Sequence, residues 1–181
     1  MTGTGLVADE LRALFEAKAR AELERADALL AGSDSVRWSG DPQGRVFVVK
    51  GAPDPEDTAA GSAFAGPDGG AVRKALAALG LPDDAIFYAV ARPERGAPDE
   101  AVRARLALQI EAVDPAIVLA ADPAAATDLA GAVHAHALDP GRLVVSAGRR
   151  LLALDGLRAS LSDESLKRRV WSQMKALATE D

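Results

Sequence analysis

The sequence predicts an α/β protein: a three-layer α/β/α sandwich around a four-stranded, mainly parallel sheet, with an extra helix at the N-terminus. Three observations predict it. After residue 45, short apolar runs alternate with helix-like stretches three times in succession, the mark of strand–helix–strand units. The apolar runs lack the in-and-out alternation of a half-solvated sheet, so both faces are covered. The 181 residues suffice for one well-filled core and are too few for two.

Each element has its own signal. Val7 to Leu30 reads as a long amphipathic helix, because Leu11, Phe15, Ala19, Leu23, Ala26 and Leu30 recur every three or four residues. Gly32 and Ser33 end it. "VRWSGDPQG" is a turn-rich link and "RVFVVK" the first strand. A loop of Gly, Pro and acidic residues follows, Gly51 to Gly70, with Phe64 in its middle. Gly69 and Gly70 introduce a helix over 71–79, closed by Gly80. "AIFYAVA" is the second strand. Pro98 opens a helix that runs to about Val113. "AIVLAA" is the third strand, "PAAATDLAGAV" the next helix and "RLVVSA" the fourth strand. Ser162 caps a last helix, with Leu166, Val170, Met174 and Leu177 in one stripe beside Trp171. Residues 1–35 thus form an N-terminal amphipathic helix, and 36–181 the α/β domain.

Composition narrows the chemistry. Cysteine is absent, which excludes disulfides, thiol catalysis and Cys-ligated zinc or iron–sulfur centres. The only histidines, His134 and His136, lie in "AVHAHALDP", with no further ligands at metal spacing, so no metal and no cofactor is expected. No apolar run reaches the roughly 18 residues that cross a bilayer. "MTGTGLVADE" lacks the basic-then-apolar order of a signal peptide, and a cytoplasmic protein without membrane contact is expected. Net charge is −6, against strong duplex-DNA binding.

The charge is unevenly spread. Residues 1–35 hold seven acids and four bases, whereas 142–175 hold eight bases and three acids. Arg149, Arg150, Lys167, Arg168, Arg169 and Trp171 are therefore candidate contacts for a charged partner or for weak single-stranded DNA binding.

Several segments together resemble the uracil-DNA glycosylase superfamily, nearest its iron–sulfur-containing family-4 and family-5 branch. "VFVVKGAPDPED" is similar to that family's strand and Gly-Glu-Ala-Pro-Gly loop with an acidic pair. "GSAFAGPDGGAVRKAL" resembles its Gly-x-Pro-Phe-Val-Gly-x-Ala-Gly segment. "EAVRARLALQIEAVDPAIVLAADPAAATDLAG" resembles its helix–strand–helix, with Gln109, Ile110 and Pro115, and "LKRRVWSQMKAL" its closing helix. The resemblance covers roughly residues 36–178. It implies a base-flipping crevice, where an aromatic ring stacks on the extruded base and polar groups read its edge and stabilise the leaving anion.

The residues that would line that crevice are Gly51, Ala52, Pro53, Phe64, Gly66 and Ala89. Phe64 takes the place of the stacking Phe. Gly51 stands where the family has a Glu, and Asp54 where it has a Gly. Glu56 and Asp57 match the acidic pair. Ala89 replaces the base-reading Asn, whose hydrogen bonds a methyl cannot make. Val102 occupies a cluster cysteine position. Ala147 and Gly148 stand for the His and Pro of a late motif. The resemblance thus implies a scaffold kept with its catalytic set stripped.

Two functions follow from the resemblance. The first is a non-catalytic protein-interaction module on the glycosylase scaffold, an accessory of DNA replication or repair. A local resemblance of "LLALDGLRASLSDESLKRRVWSQM" and "VRKALAALGLPDDAIFYA" to the psi subunits of bacterial clamp loaders points the same way. The partner helix would then be the first one, through Leu11, Phe15, Leu23 and Leu30, with a clamp-loader or other replication or repair protein as partner. The alternative is a divergent DNA glycosylase excising uracil or another damaged base, with Phe64 stacking and Asp54, Glu56 or Asp57 orienting water.

Overall fold

The computed structural model describes residues 3–30, 32 and 36–178. Helix α1 (Gly3–Asp27) is continued by a 3-10 turn, Ala28–Leu30. Ser33, expected at its end, and Asp34 of the acidic set lie outside the described residues. Then come β1 (Ser39–Gly40), β2 (Val46–Lys50), α2 (Pro55–Ala60), α3 (Pro67–Ala78), β3 (Ile86–Val90), α4 (Asp99–Val113), β4 (Ile117–Ala120), α5 (Pro123–Ala132), β5 (Val144–Ser146), β6 (Arg149–Ala153), α6 (Leu157–Ser160) and α7 (Glu164–Met174).

The sheet has six strands, in the order β1-β3-β2-β4-β6-β5. This corrects the expectation of four. The inner four, β3, β2, β4 and β6, are parallel, and antiparallel β1 and β5 are added at the edges. "RLVVSA" is accordingly not the fourth parallel strand. It is one arm of a hairpin whose other arm, "RRLLA", joins β4. The turn residues are Ala147 and Gly148, with φ of 49° and 77°, the left-handed pair that a two-residue hairpin turn requires. Arg149 and Arg150, expected as contacts for a charged partner, begin this interior strand.

Strand alternation sorts the core into two layers. Phe47, Val49, Phe87 and Ala89 face α4 and α5, together with Leu23 and Leu30 of the N-terminal segment. Val46, Val48, Ile86 and Tyr88 face α3, α6 and α7. Each large side chain here is worth about 1.5–3 kcal/mol of burial. The parity places Lys50, the last residue of β2, on the second face, beside Val48. The last helix is capped one residue later than expected: Asp163, not Ser162, accepts from the Ser165 and Leu166 N–H groups.

Helix α1 does not present one continuous face. Ala19, Leu23, Ala26 and Leu30 are buried, whereas Val7, Leu11, Leu14 and Phe15 are half or more exposed. At 3.6 residues per turn the exposed stripe is centred about 100° around the helix from the docked one. The docked half is locked by buried Arg105, which donates through Nε and Nη2 to Asp27 and through Nη1 to the Val90 carbonyl. Burial pulls the Arg105 pKa below its ordinary value, and Asp27 offsets part of that. Gln109 donates to the same Asp27 oxygen.

Candidate functional site

In open α/β sheets a ligand crevice opens beyond the carboxyl ends of the strands, where the strand order reverses. Here the chain leaves β2 to one side for β3 and to the other for β4, so the reversal lies between β2 and β4. That point is stitched shut. Asp122, after β4, accepts from the Gly51 N–H at 2.9 Å with one oxygen and from the Ala125 N–H at 2.8 Å with the other. A Cβ at Gly51 would lie 2.6 Å from that of Ala124. No side chain larger than glycine's fits at position 51 without moving this seam.

Next to the seam sits a buried ionic cluster. Lys50 Nζ lies 2.7 Å from Asp54, 2.5 Å from Asp57 and 2.6 Å from Asp68. Lys50, Asp57 and Asp68 are buried, and Asp54 is partly so. Burial alone would pull the ammonium's pKa down, but the hydrogen bonds to the three aspartates more than offset this and hold it above the ordinary lysine value. Asp57 also accepts from the Asp54 and Ala65 N–H groups, so it ties down both the start of α2 and the Phe64 loop. The carboxylates meet because α2 and α3 both start at this spot: the Gly51–Gly70 segment was read as loop, yet it contains α2 and the first turn of α3.

Arg158, from α6, closes the cluster from outside. It donates to Glu56 at 3.0 Å and lies 3.9 Å from Asp54 and 3.8 Å from Asp68. The Glu56 pKa is lowered by its own backbone N–H and then by Arg158. Gly66 leaves room for this arrangement, since a Cβ there would meet Arg158 Nη1 at 3.0 Å and Asp68 Oδ1 at 3.1 Å.

Phe64 is part of the seal. Its side chain is 1% exposed, with the Lys50 ammonium 4.6 Å from the ring centroid and the Tyr88 ring at 5.4 Å. Its φ is 57°, and the backbone is pinned by Gly69, where a Cβ would lie 1.9 Å from the Phe64 carbonyl oxygen. The Ala63 N–H donates to Arg37, and Ser39 Oγ donates to the Ala63 carbonyl, so the loop is tied to β1 as well. A ring with both faces and edges covered offers no platform for a base.

The structure brings together Gly51, Asp54, Glu56, Asp57, Phe64 and Gly66, with Ala52 and Pro53 on the outer side of the same loop. It separates the rest. Ala89 points to the opposite core layer, among Leu23 and Phe47, because odd and even positions of β3 face opposite ways. Ala147 and Gly148 form the hairpin turn at the amino end of β6, across the sheet from the cluster. What leaves the carboxyl end of β6 is Asp155–Arg158. Val102 is core.

The basic set is also dispersed. Arg149 pairs with Glu111 and Asp114, and Arg150 caps the last helical turn through the Ala176 and Leu177 carbonyls. Arg169 lies 3.4 Å from Asp155. Lys167 and Arg168 are exposed on α7, whereas Trp171 is half-buried against the second core layer.

Sequence reasoning missed Lys50, Asp68, Asp122 and Arg158. Two signals were legible: a lysine ending an otherwise apolar interior strand, and an Asp-Pro pair directly after β4, the signature of a helix cap. Among the described residues no cluster of His, Cys, Asp or Glu forms a metal site, and no helix is long and apolar enough to cross a membrane. Comparison with protein-family models finds no match, and no curated protein matches the chain.

Proposed function

We propose that this chain is a non-catalytic protein-interaction module on a uracil-DNA glycosylase-like scaffold, an accessory protein of DNA replication or repair such as a psi-like clamp-loader subunit. The observation that carries the reading is the sealed crevice. Where a glycosylase would hold an extruded base, this reading puts Phe64 and a cluster in which Lys50 pairs with Asp54, Asp57 and Asp68. A carboxylate that activates water must reach solvent or substrate. Asp57 is 0% exposed and spends both oxygens on backbone N–H groups.

The projecting half of α1 supports the same reading. Val7, Leu11, Leu14 and Phe15 form a second apolar stripe, on a different side of the helix from the one that packs on α4. A helix needs one such face to join its own domain, and the other is available to a partner. Leu11 and Phe15 are then the docking residues, while Leu23 and Leu30 are structural.

The test is base release from single-stranded DNA containing uracil. The expected result is no release above background. Release that is lost in Glu56→Gln, a half-exposed change that leaves the fold intact, overturns the proposal in favour of a divergent glycosylase. Co-purification of clamp-loader subunits, abolished in a Leu11→Asp/Phe15→Asp double variant, supports the replisome form. Its absence with α1 intact counts against that form.

A further inference from the structure

On the layer opposite α1, an open groove of about 700 Å³ lies between α3 and the α6–α7 segment. The α3 wall is made of small residues at helical spacing, Gly70, Ala71 and Ala75. A Cβ on Gly70 would meet nothing within 4 Å. The facing wall carries Trp171 and Met174, with Leu161 at one end. Leu161 is among the exposed large apolar side chains, and Trp171 is half-buried.

We propose that this groove binds an amphipathic helix of another protein, with its apolar edge in the groove and acidic residues along both flanks. Three features select that occupant. The groove lies between helices and offers no free sheet edge, so an extended segment entering it would leave its backbone N–H and C=O groups unpaired. A helix brings its own satisfied. The small residues of α3 let a helix, about 10 Å across, approach closely. Each wall bears a cation at the rim, Lys74 on α3 and Lys167 on α7, and no carboxylate lines the groove. Lys74 has no ion-pair partner among the described residues, and the pairing of Lys167 with Glu164 is a loose, exposed one at 3.4 Å.

Helix α1 of the same chain is not the occupant, because its docked half belongs to the other core layer. The α1 stripe of a second copy fits less well: Lys18 falls in line with Val7, Leu11 and Leu14 and would face Lys74 and Lys167.

The experiment uses the full chain and two synthetic 16-residue helical peptides. Both carry Leu, Leu, Phe and Leu at spacings of four, three and four. One has Glu and Gln at the remaining positions, the other Lys and Gln. Trp171 emission reports binding; the only other tryptophan, Trp38, stacks on Phe87 in the opposite layer. The Glu peptide should bind at least about tenfold tighter than the Lys peptide, a difference on the order of 1.4 kcal/mol. The Lys74→Glu/Lys167→Glu double variant should reverse that order. Gly70→Leu fills the groove with a better helix former, so the fold persists while binding is lost. Equal affinity for the two peptides, or binding that survives Gly70→Leu, overturns the proposal. So does self-association of the protein alone that Gly70→Leu abolishes, since the occupant is then a second copy. The inference rests on the reading of the chain as an interaction protein. Base release with peptide binding intact would sink that reading and leave the groove standing.

Discussion

Replacing Lys50 with Met tests whether the cluster is structural. Methionine keeps the length and apolar stem of the side chain and removes the ammonium. Nζ holds three carboxylates at 2.7, 2.5 and 2.6 Å, and two of those residues are buried. Charge-assisted hydrogen bonds are worth about 1.5–3 kcal/mol each, so their simple sum is roughly 5–9 kcal/mol. Freeing the ammonium from its own desolvation recovers part of that, and the net cost of leaving buried charges unpaired is about 3–5 kcal/mol. A chain of this length loses roughly 2–4 °C of Tm per kcal/mol, so Tm should fall by about 6–20 °C. Asp54→Asn, at the partly exposed edge, should cost only about 1 kcal/mol. Urea unfolding at pH 7 measures both. A Lys50→Met loss below about 1 kcal/mol would refute the reasoning, because it would mean a hydrated, open cluster. The wild type adds a pH signature. The Lys50 pKa is raised on folding, so its contribution is complete below the ordinary lysine value of 10.5 and is lost as pH rises through the folded value. Lys50→Met should remove that part of the alkaline slope.

Phe64→Ala should cost about 3–5 kcal/mol of stability, as truncation of a buried aromatic does, measured by denaturant unfolding; a change under 1 kcal/mol would mark an accessible stacking ring instead. Gly69→Ala should destabilise by roughly 1–3 kcal/mol or more, since its Cβ collides with the Phe64 backbone and not with a movable side chain. Asp27→Ala should cost about 3 kcal/mol, the low end for unpairing a buried charge because Asp27 is itself partly exposed. Amide exchange should then show α1 opening before the rest of the domain.

The parallel core was legible because its strands are apolar runs between helices with clear punctuation: Gly80 in the left-handed region at φ 80°, and proline at the starts of α4 and α5. The edge strands were not. Two-residue β1 carries no period, and β5 and β6 share a hairpin whose Ala-Gly turn lacks the usual Asn or Asp. The Gly51–Gly70 segment does bring Phe64, Asp54 and Asp57 around Lys50. Its interior could not be read, because Lys50, Asp68 and Arg158 come from separate elements and meet only once those are packed. Ala89 illustrates the opposite failure. Motif position put it beside Phe64, but strand parity, counted from Tyr88, sends it to the other layer. On α1, spacing alone merged two apolar faces that burial separates at Ala19.

The most direct measurement of the sealed crevice is nitrogen-15 NMR of the Lys50 side-chain ammonium, assigned by its loss in Lys50→Met. A buried ammonium held by three carboxylates should exchange slowly with water and give a sharp signal near neutral pH. Adding uracil or single-stranded DNA containing an abasic site should leave it unmoved. Fast exchange, or a shift on adding either compound, would contradict the account by showing that ligand and solvent reach the heart of the site.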